Sequence, residues 1–145
     1  REDVEAIKQA LKDGILDCIS TDHAPHTPED KEAGFDLAPF GMIGLETAVG
    51  LVCSELVQQK ILSWPQVAQK MSQRSAEIMG LKTKGEIKEG MDGDLTVIDA
   101  EKEWEFKKEM IASKSKNSPF IGRKFKGCVE ATICGGKIVY ENQVV

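Results

Sequence analysis

Ile15-Leu16-Asp17-Cys18-Ile19-Ser20-Thr21-Asp22-His23-Ala24-Pro25-His26 joins an apolar run directly to a carboxylate and two imidazoles. The stretch from Ile15 to Thr21 has few polar residues, as expected of a parallel strand covered on both faces. The polar cluster then falls at the strand's C-terminal end, where α/β barrels keep their chemistry. Upstream, Val4, Ile7 and Leu11 repeat at helical spacing until Gly14 stops the pattern. Helix followed by buried strand is the pattern of the last units of a TIM-type (β/α) barrel, so the expected fold class is α/β.

Working outward, the segment from Thr27 to Gly44 is rich in Pro, Gly, Asp and Glu. It is long for a connection, which points to a functional loop over a barrel mouth. Leu45, Ala48, Val49, Val52 and Leu56 then predict an amphipathic helix. A second helix is predicted with Ser63 as N-cap, Pro65 in its first turn, Val67, Met71 and Ile78 on its apolar side and Gly80 as its stop. After Leu81 the pattern changes to short strands and turns. This divides the chain into 1–80, the C-terminal part of a barrel with an active-site loop, and 81–145, part of a small β-sandwich. Leu95 to Ile98 reads as a strand, and Val129 to Cys134 with Lys137 to Glu141 as a hairpin about Gly135-Gly136.

The composition, 145 residues with 41% hydrophobic and 30% charged, is that of a soluble globular protein. No apolar run approaches the roughly 20 residues that cross a bilayer, and no basic-then-apolar leader opens the chain, so a cytoplasmic protein without membrane association is expected. Cys18, Cys53, Cys128 and Cys134 lack metal-type spacing and sit in apolar segments, where reduced cysteine behaves as a small hydrophobe. Between Lys107 and Lys126 there are seven basic residues and only Glu109. They are dispersed over a turn-rich segment in a chain of net charge −5, so a solvated surface is expected and nucleic-acid binding is not.

A carboxylate at a strand end can bind a cation and can also accept and return a proton, so Asp22 is the candidate for both tasks. His26 follows Pro25, which directs the chain into a turn, and can face the same pocket without being a ligand. His23, adjacent to Asp22 on an extended segment, is expected to point away and serve a structural role. The alternative is that Asp22 is a helix N-cap or turn residue and both histidines decorate the surface. His23 and His26 are the only histidines, whereas a catalytic zinc typically takes three protein ligands. The chain therefore reads as holding part of an active site.

Asp22-His23-Ala24-Pro25-His26, Ala38-Pro39-Phe40-Gly41 and Gly44-Leu45-Glu46-Thr47 together resemble the closing barrel region of bacterial class I dihydroorotases, of the amidohydrolase superfamily. Gly85-Glu86-Ile87-Lys88-Glu89-Gly90, Gly93-Asp94-Leu95 and Asn117-Ser118-Pro119-Phe120-Ile121-Gly122 are similar to that family's C-terminal sandwich. The resemblance implies reversible cyclisation of N-carbamoyl-L-aspartate to L-dihydroorotate in pyrimidine biosynthesis, with a zinc-bound hydroxide at the barrel mouth. It makes Asp22 the last metal ligand and the proton relay, His26 a contact to the substrate carboxylate, and Phe40 and Gly41 backbone contacts to the substrate.

A binuclear zinc site is implied, its other ligands outside this chain, since the first-strand His-x-His pair, the bridging carboxylate and two further histidines have no counterpart here. A whole barrel needs about 250 residues. The expectation is thus a fragment, inactive and of doubtful folding in isolation, that associates with the missing N-terminal part of the same protein. The resemblance also implies a homo-oligomer and possible association with aspartate carbamoyltransferase. The competing readings are a noncatalytic dihydroorotase-like scaffold in a pyrimidine-enzyme complex, and another cyclic amidohydrolase such as a hydantoinase or allantoinase.

Overall fold

Both helices anticipated after Gly44 form, and each runs through a π-helical turn. The computed structural model describes residues 1–142. In chain order the elements are α1 (Glu2–Lys12), α2 (Pro28–Glu32), α3 (Ala48–Val52), α4 (Trp64–Ala68), α5 (Arg74–Ile78), β1 (Leu95–Glu105), β2 (Lys124–Cys134) and β3 (Lys137–Glu141). α3 passes into the π-helical turn Cys53–Val57, and Gln69–Gln73 joins α4 to α5 in the same way. The start of α4 is set locally: the side-chain oxygen of Gln66 accepts from the backbone N–H of Ser63 at 2.8 Å, and Pro65 sits in the first turn, where its missing N–H costs nothing.

The described strands form one antiparallel sheet in the order β1-β2-β3. β1 pairs with β2 from Leu95↔Ile133 to Glu105↔Lys124, with a shift of register between Asp99 and Glu103. Asp99 supports that irregularity, its Oδ1 accepting from the N–H groups of Glu101 (2.9 Å) and Lys102 (3.1 Å). The hairpin turns at Gly135-Gly136 as anticipated, and Asp94 Oδ1 accepts from the Gly135 N–H at 2.7 Å.

Two apolar clusters hold these elements. Leu11 of α1, Val52, Leu56, Leu62 and Val67 form one, with Ile19, Trp64 and Met71 against it. Ile43, Phe106, Ile111 and Phe125 form the other, with Leu51, Trp104 and Phe120 packed on it. The second cluster binds α3 to the sheet, and Gly50 permits the approach, since a Cβ there would stand 3.0 Å from ring atoms of Phe125 and Trp104. Ser54 reinforces the contact by accepting from the Lys126 N–H at 3.0 Å.

Several expectations are corrected. The segment from Ile15 to Thr21 joins no ladder among the described residues; it lies instead on the α4–α5 helix, where Ile19 N–H donates to the Lys70 carbonyl (3.0 Å) and the buried Lys70 ammonium donates to the Leu16 carbonyl (2.6 Å). A parallel strand depends on neighbours distant in sequence, and none of the described residues supplies one. The strands read as part of a sandwich lie, among the described residues, in one three-stranded sheet. The strand read at Leu95 to Ile98 continues to Glu105, and the one read from Val129 begins at Lys124. The loop after His26 contains α2. Leu45 and Ile78, placed on apolar helix faces by their spacing, are exposed, as are Cys18 and Cys134. Burial pushes the thiols of Cys53 and Cys128 up from their ordinary value, which keeps them protonated core residues.

Candidate functional site

The loop that follows Thr21 folds as two arms laid side by side. Met42 bridges to His23 in parallel fashion, and the Ala24 N–H donates to the Met42 carbonyl at 2.9 Å. His23 stabilises the same pairing, its Nδ1 accepting from the Gly44 N–H at 3.2 Å, which is the structural role anticipated for it. Between the arms, Thr27 and Asp30 cap α2 reciprocally: Asp30 N–H donates to Thr27 Oγ1 (3.2 Å) and Thr27 N–H to Asp30 Oδ2 (3.3 Å), with Pro28 in the first turn. That short helix carries Lys31 back across the loop, where its ammonium donates to the carbonyls of Pro39 (2.6 Å) and Gly41 (2.7 Å).

These arms border an open depression of about 520 Å³, lined by Thr21, Asp22, Lys31, Gly41, Met42 and Asn117 among others. Asp22 is exposed on it, and its carboxylate accepts no hydrogen bond from the described residues. Its backbone has φ +45°, in the left-handed region that few side chains other than Asn and Asp adopt. The helix that follows is capped by Thr27, so Asp22 does not serve as a helix cap.

Asp22 and Gly41 meet at this depression; His26 and Phe40 lie beside it. His26 Nε2 is 2.9 Å from the Phe40 carbonyl, which can only accept, so that ring nitrogen carries the proton. The Phe40 ring is 97% exposed. Gly41, at φ +117°, could not bear a side chain: a Cβ would stand 2.6 Å from Ala24 Cβ and 3.1 Å from His26 Nε2.

Asn117, 91 residues beyond His26 in the chain, ties the arms to the rest of the molecule. Its Oδ1 accepts from the His26 N–H (3.3 Å), and its Nδ2 donates to the carbonyls of Ala24 (3.0 Å) and Gly41 (3.4 Å). Its own carbonyl accepts from the Ile43 N–H at 3.1 Å. Glu46 steadies the strap leading to Asn117, its Oε1 accepting from the N–H groups of Ala112 (3.0 Å) and Ser113 (3.4 Å). Lys31 and Asn117 are the two site residues that sequence reasoning missed. Asn117 was visible within Asn117-Ser118-Pro119-Phe120, but its contact with a loop so far upstream has no local signature.

The donor set does not by itself fit a zinc ion. Among the described residues no three His, Cys, Asp or Glu side chains converge. His23 Nδ1 is taken by the Gly44 N–H, and the Asp22 carboxylate with His26 Nδ1 falls short of the three protein ligands a catalytic zinc typically takes.

A sequence model described as Amidohydrolase family matches residues 1–139. A dihydroorotase of Endomicrobium trichonymphae is 55% identical over 141 residues, which is 97% of this chain and 33% of the relative. One of Pelotomaculum thermopropionicum is 47% identical over 143 residues, 99% of this chain and 33% of the relative. Among solved structures, the L-hydantoinase (dihydropyrimidinase) of Arthrobacter aurescens superposes with a TM-score of 0.88 at 29% identity, covering 96% of this chain and 32% of its own. The dihydropyrimidinase of Brevibacillus agri gives 0.89 at 28% identity, with 95% and 31% covered. The chain thus spans about a third of the length of the curated relatives it matches. Matched by that family model over residues 1–139, the chain belongs to the amidohydrolase family.

Proposed function

We propose that this chain is the C-terminal third of a dihydroorotase, interconverting N-carbamoyl-L-aspartate and L-dihydroorotate in the cytoplasm. The observation that carries this is the identity of 47–55% to dihydroorotases across 97–99% of the chain. The hydantoinase structures share the fold at 24–29% identity and do not outweigh it. The same reading divides the chain into a barrel part, 1–80, and a second-domain part, 81–145.

Asp22 is the proposed catalytic residue. In the ring-opening direction its carboxylate takes the proton of the attacking water and returns it to the ring nitrogen as the amide bond breaks. An exposed carboxylate, free of hydrogen bonds from the described residues and held at the rim of a depression, is suited to that relay. His26 is proposed to meet the substrate's carboxylate by turning its Nε2–H from the Phe40 carbonyl to the incoming carboxylate oxygen, and the backbone of Phe40 and Gly41 to line the substrate's path. A zinc pair would take Asp22 as its donor from this chain, the remaining ligands coming from the rest of the polypeptide. That polypeptide is also the proposed cover for Ile15, Phe35 and Leu37, which are 72%, 98% and 79% exposed.

The test is an assay of the full-length protein with N-carbamoyl-L-aspartate and, separately, with hydantoin. Turnover of the first is expected, and Asp22→Asn, which tolerates the left-handed backbone, is expected to lower kcat by roughly 10²–10⁴-fold without shifting the unfolding midpoint. Turnover of hydantoin alone would replace the substrate assignment, and an active Asp22→Asn enzyme would remove the proton relay.

A further inference from the structure

We infer that Asn117 is the positioning residue that sets the substrate loop of this site from outside the barrel part, with Lys31 closing the loop from within. The inference rests on the dihydroorotase reading, and it concerns residues to which neither the family match nor the sequence motifs give a role.

Asn117 touches both arms at once. One amide group receives the N–H of His26, and the same group donates to the carbonyls of Ala24 and Gly41, so both faces of the amide are used. Those partners are the backbone of His26 and Gly41, two of the three loop residues proposed to meet substrate, together with Ala24, against which Gly41 packs. Lys31 adds a cation to the Gly41 carbonyl and to that of Pro39, beside Phe40. The Gly41 carbonyl is therefore shared between Asn117 and Lys31, the only two donors to it among the described residues.

Loop residues that are not held by burial have to be held by polar contacts if they are to present a fixed geometry. Here Pro39, Phe40 and Gly41 are all exposed, and Phe40 contributes almost no buried area. The strap carrying Asn117 is in turn fixed to the sheet core through Ile111, 4% exposed, and to the start of the α3 helix through Glu46. The site's geometry is in this way set by the part of the chain that follows residue 80.

The experiment uses the full-length protein with Asn117→Ala, Asn117→Asp and Lys31→Met, measuring dihydroorotase kinetics and, independently, amide hydrogen exchange over residues 24–44. Asn117→Asp keeps the acceptor for His26 and loses both donations, so it separates the two halves of the contact. The expected result is a KM raised about tenfold in Asn117→Ala and Asn117→Asp and less in Lys31→Met, with kcat within about threefold. Exchange is expected to quicken in 24–44 and to stay unchanged in α3. Unchanged KM and unchanged exchange in all three variants would overturn the proposal, as would equal quickening in α3, which marks general destabilisation. If the parent protein does not turn over carbamoyl aspartate, the dihydroorotase reading fails, while quickened exchange confined to 24–44 still supports Asn117 as the loop's anchor.

Discussion

Phe125 and Gly41 are held by opposite means. Phe125 is 2% exposed, with Trp104 and Phe120 at ring-centroid distances of 5.3 and 6.2 Å. Gly41 is exposed, and its carbonyl is fixed by the Lys31 ammonium and the Asn117 amide. Around Phe125 the stabilising term scales with apolar area removed from water and is not directional. Around Gly41 each contact depends on angle and distance, contributes little net stability and fixes much geometry. The lesson is that damage to the two regions should register in different measurements: unfolding for the sheet face, substrate affinity for the arms.

The largest effect expected from this contrast is on stability. Phe125→Ala, which empties the contact between α3 and β2, is expected to cost about 3–5 kcal/mol in denaturant unfolding of the full-length protein. A cost under about 1 kcal/mol would mean that the face is not packed as described. Next comes His26→Ala, where KM is expected to rise about tenfold with a smaller change in kcat and an unmoved unfolding midpoint. A lowered midpoint with intact kinetics would make His26 a brace between the arms and nothing more.

The smallest effect is expected at the hairpin. Lys84, and after it the Gly135 N–H, hold the Asp94 carboxyl below its usual value of 3.8. A depressed folded-state value means that the contribution is present above 3.8 and fades as pH falls below it. Wild type and Asp94→Asn should therefore differ slightly in unfolding midpoint at pH 7 and converge under acid conditions. A difference that grows on acidification would reverse the assignment. These groups are solvent-exposed, which is why this change ranks last.

Local patterns were legible where local physics decides. Ser63 and Pro65 announced the start of α4, Gly135-Gly136 announced the hairpin, and Pro25 announced the turn that brings His26 beside its loop. The run from Ile15 to Thr21 was less legible, because a buried strand and an apolar segment lying on a helix share one composition, and the ladder partners that tell them apart are remote. Leu45 and Ile78 show the same limit, since helical spacing says which residues share a face and not what covers that face.

By itself the sequence determined which chemistry is available: one carboxylate and one imidazole spaced around Pro25, a glycine at 41, and motifs specific enough to indicate a family. Only the tertiary structure decided how these groups are presented. The left-handed backbone at Asp22, the His26 proton aimed at the Phe40 carbonyl and the reach of Asn117 across 91 residues all depend on directional contacts between segments distant in sequence. Spacing along a chain encodes periodicity and turns, whereas the convergence of two arms and a strap is fixed by the packing that surrounds them.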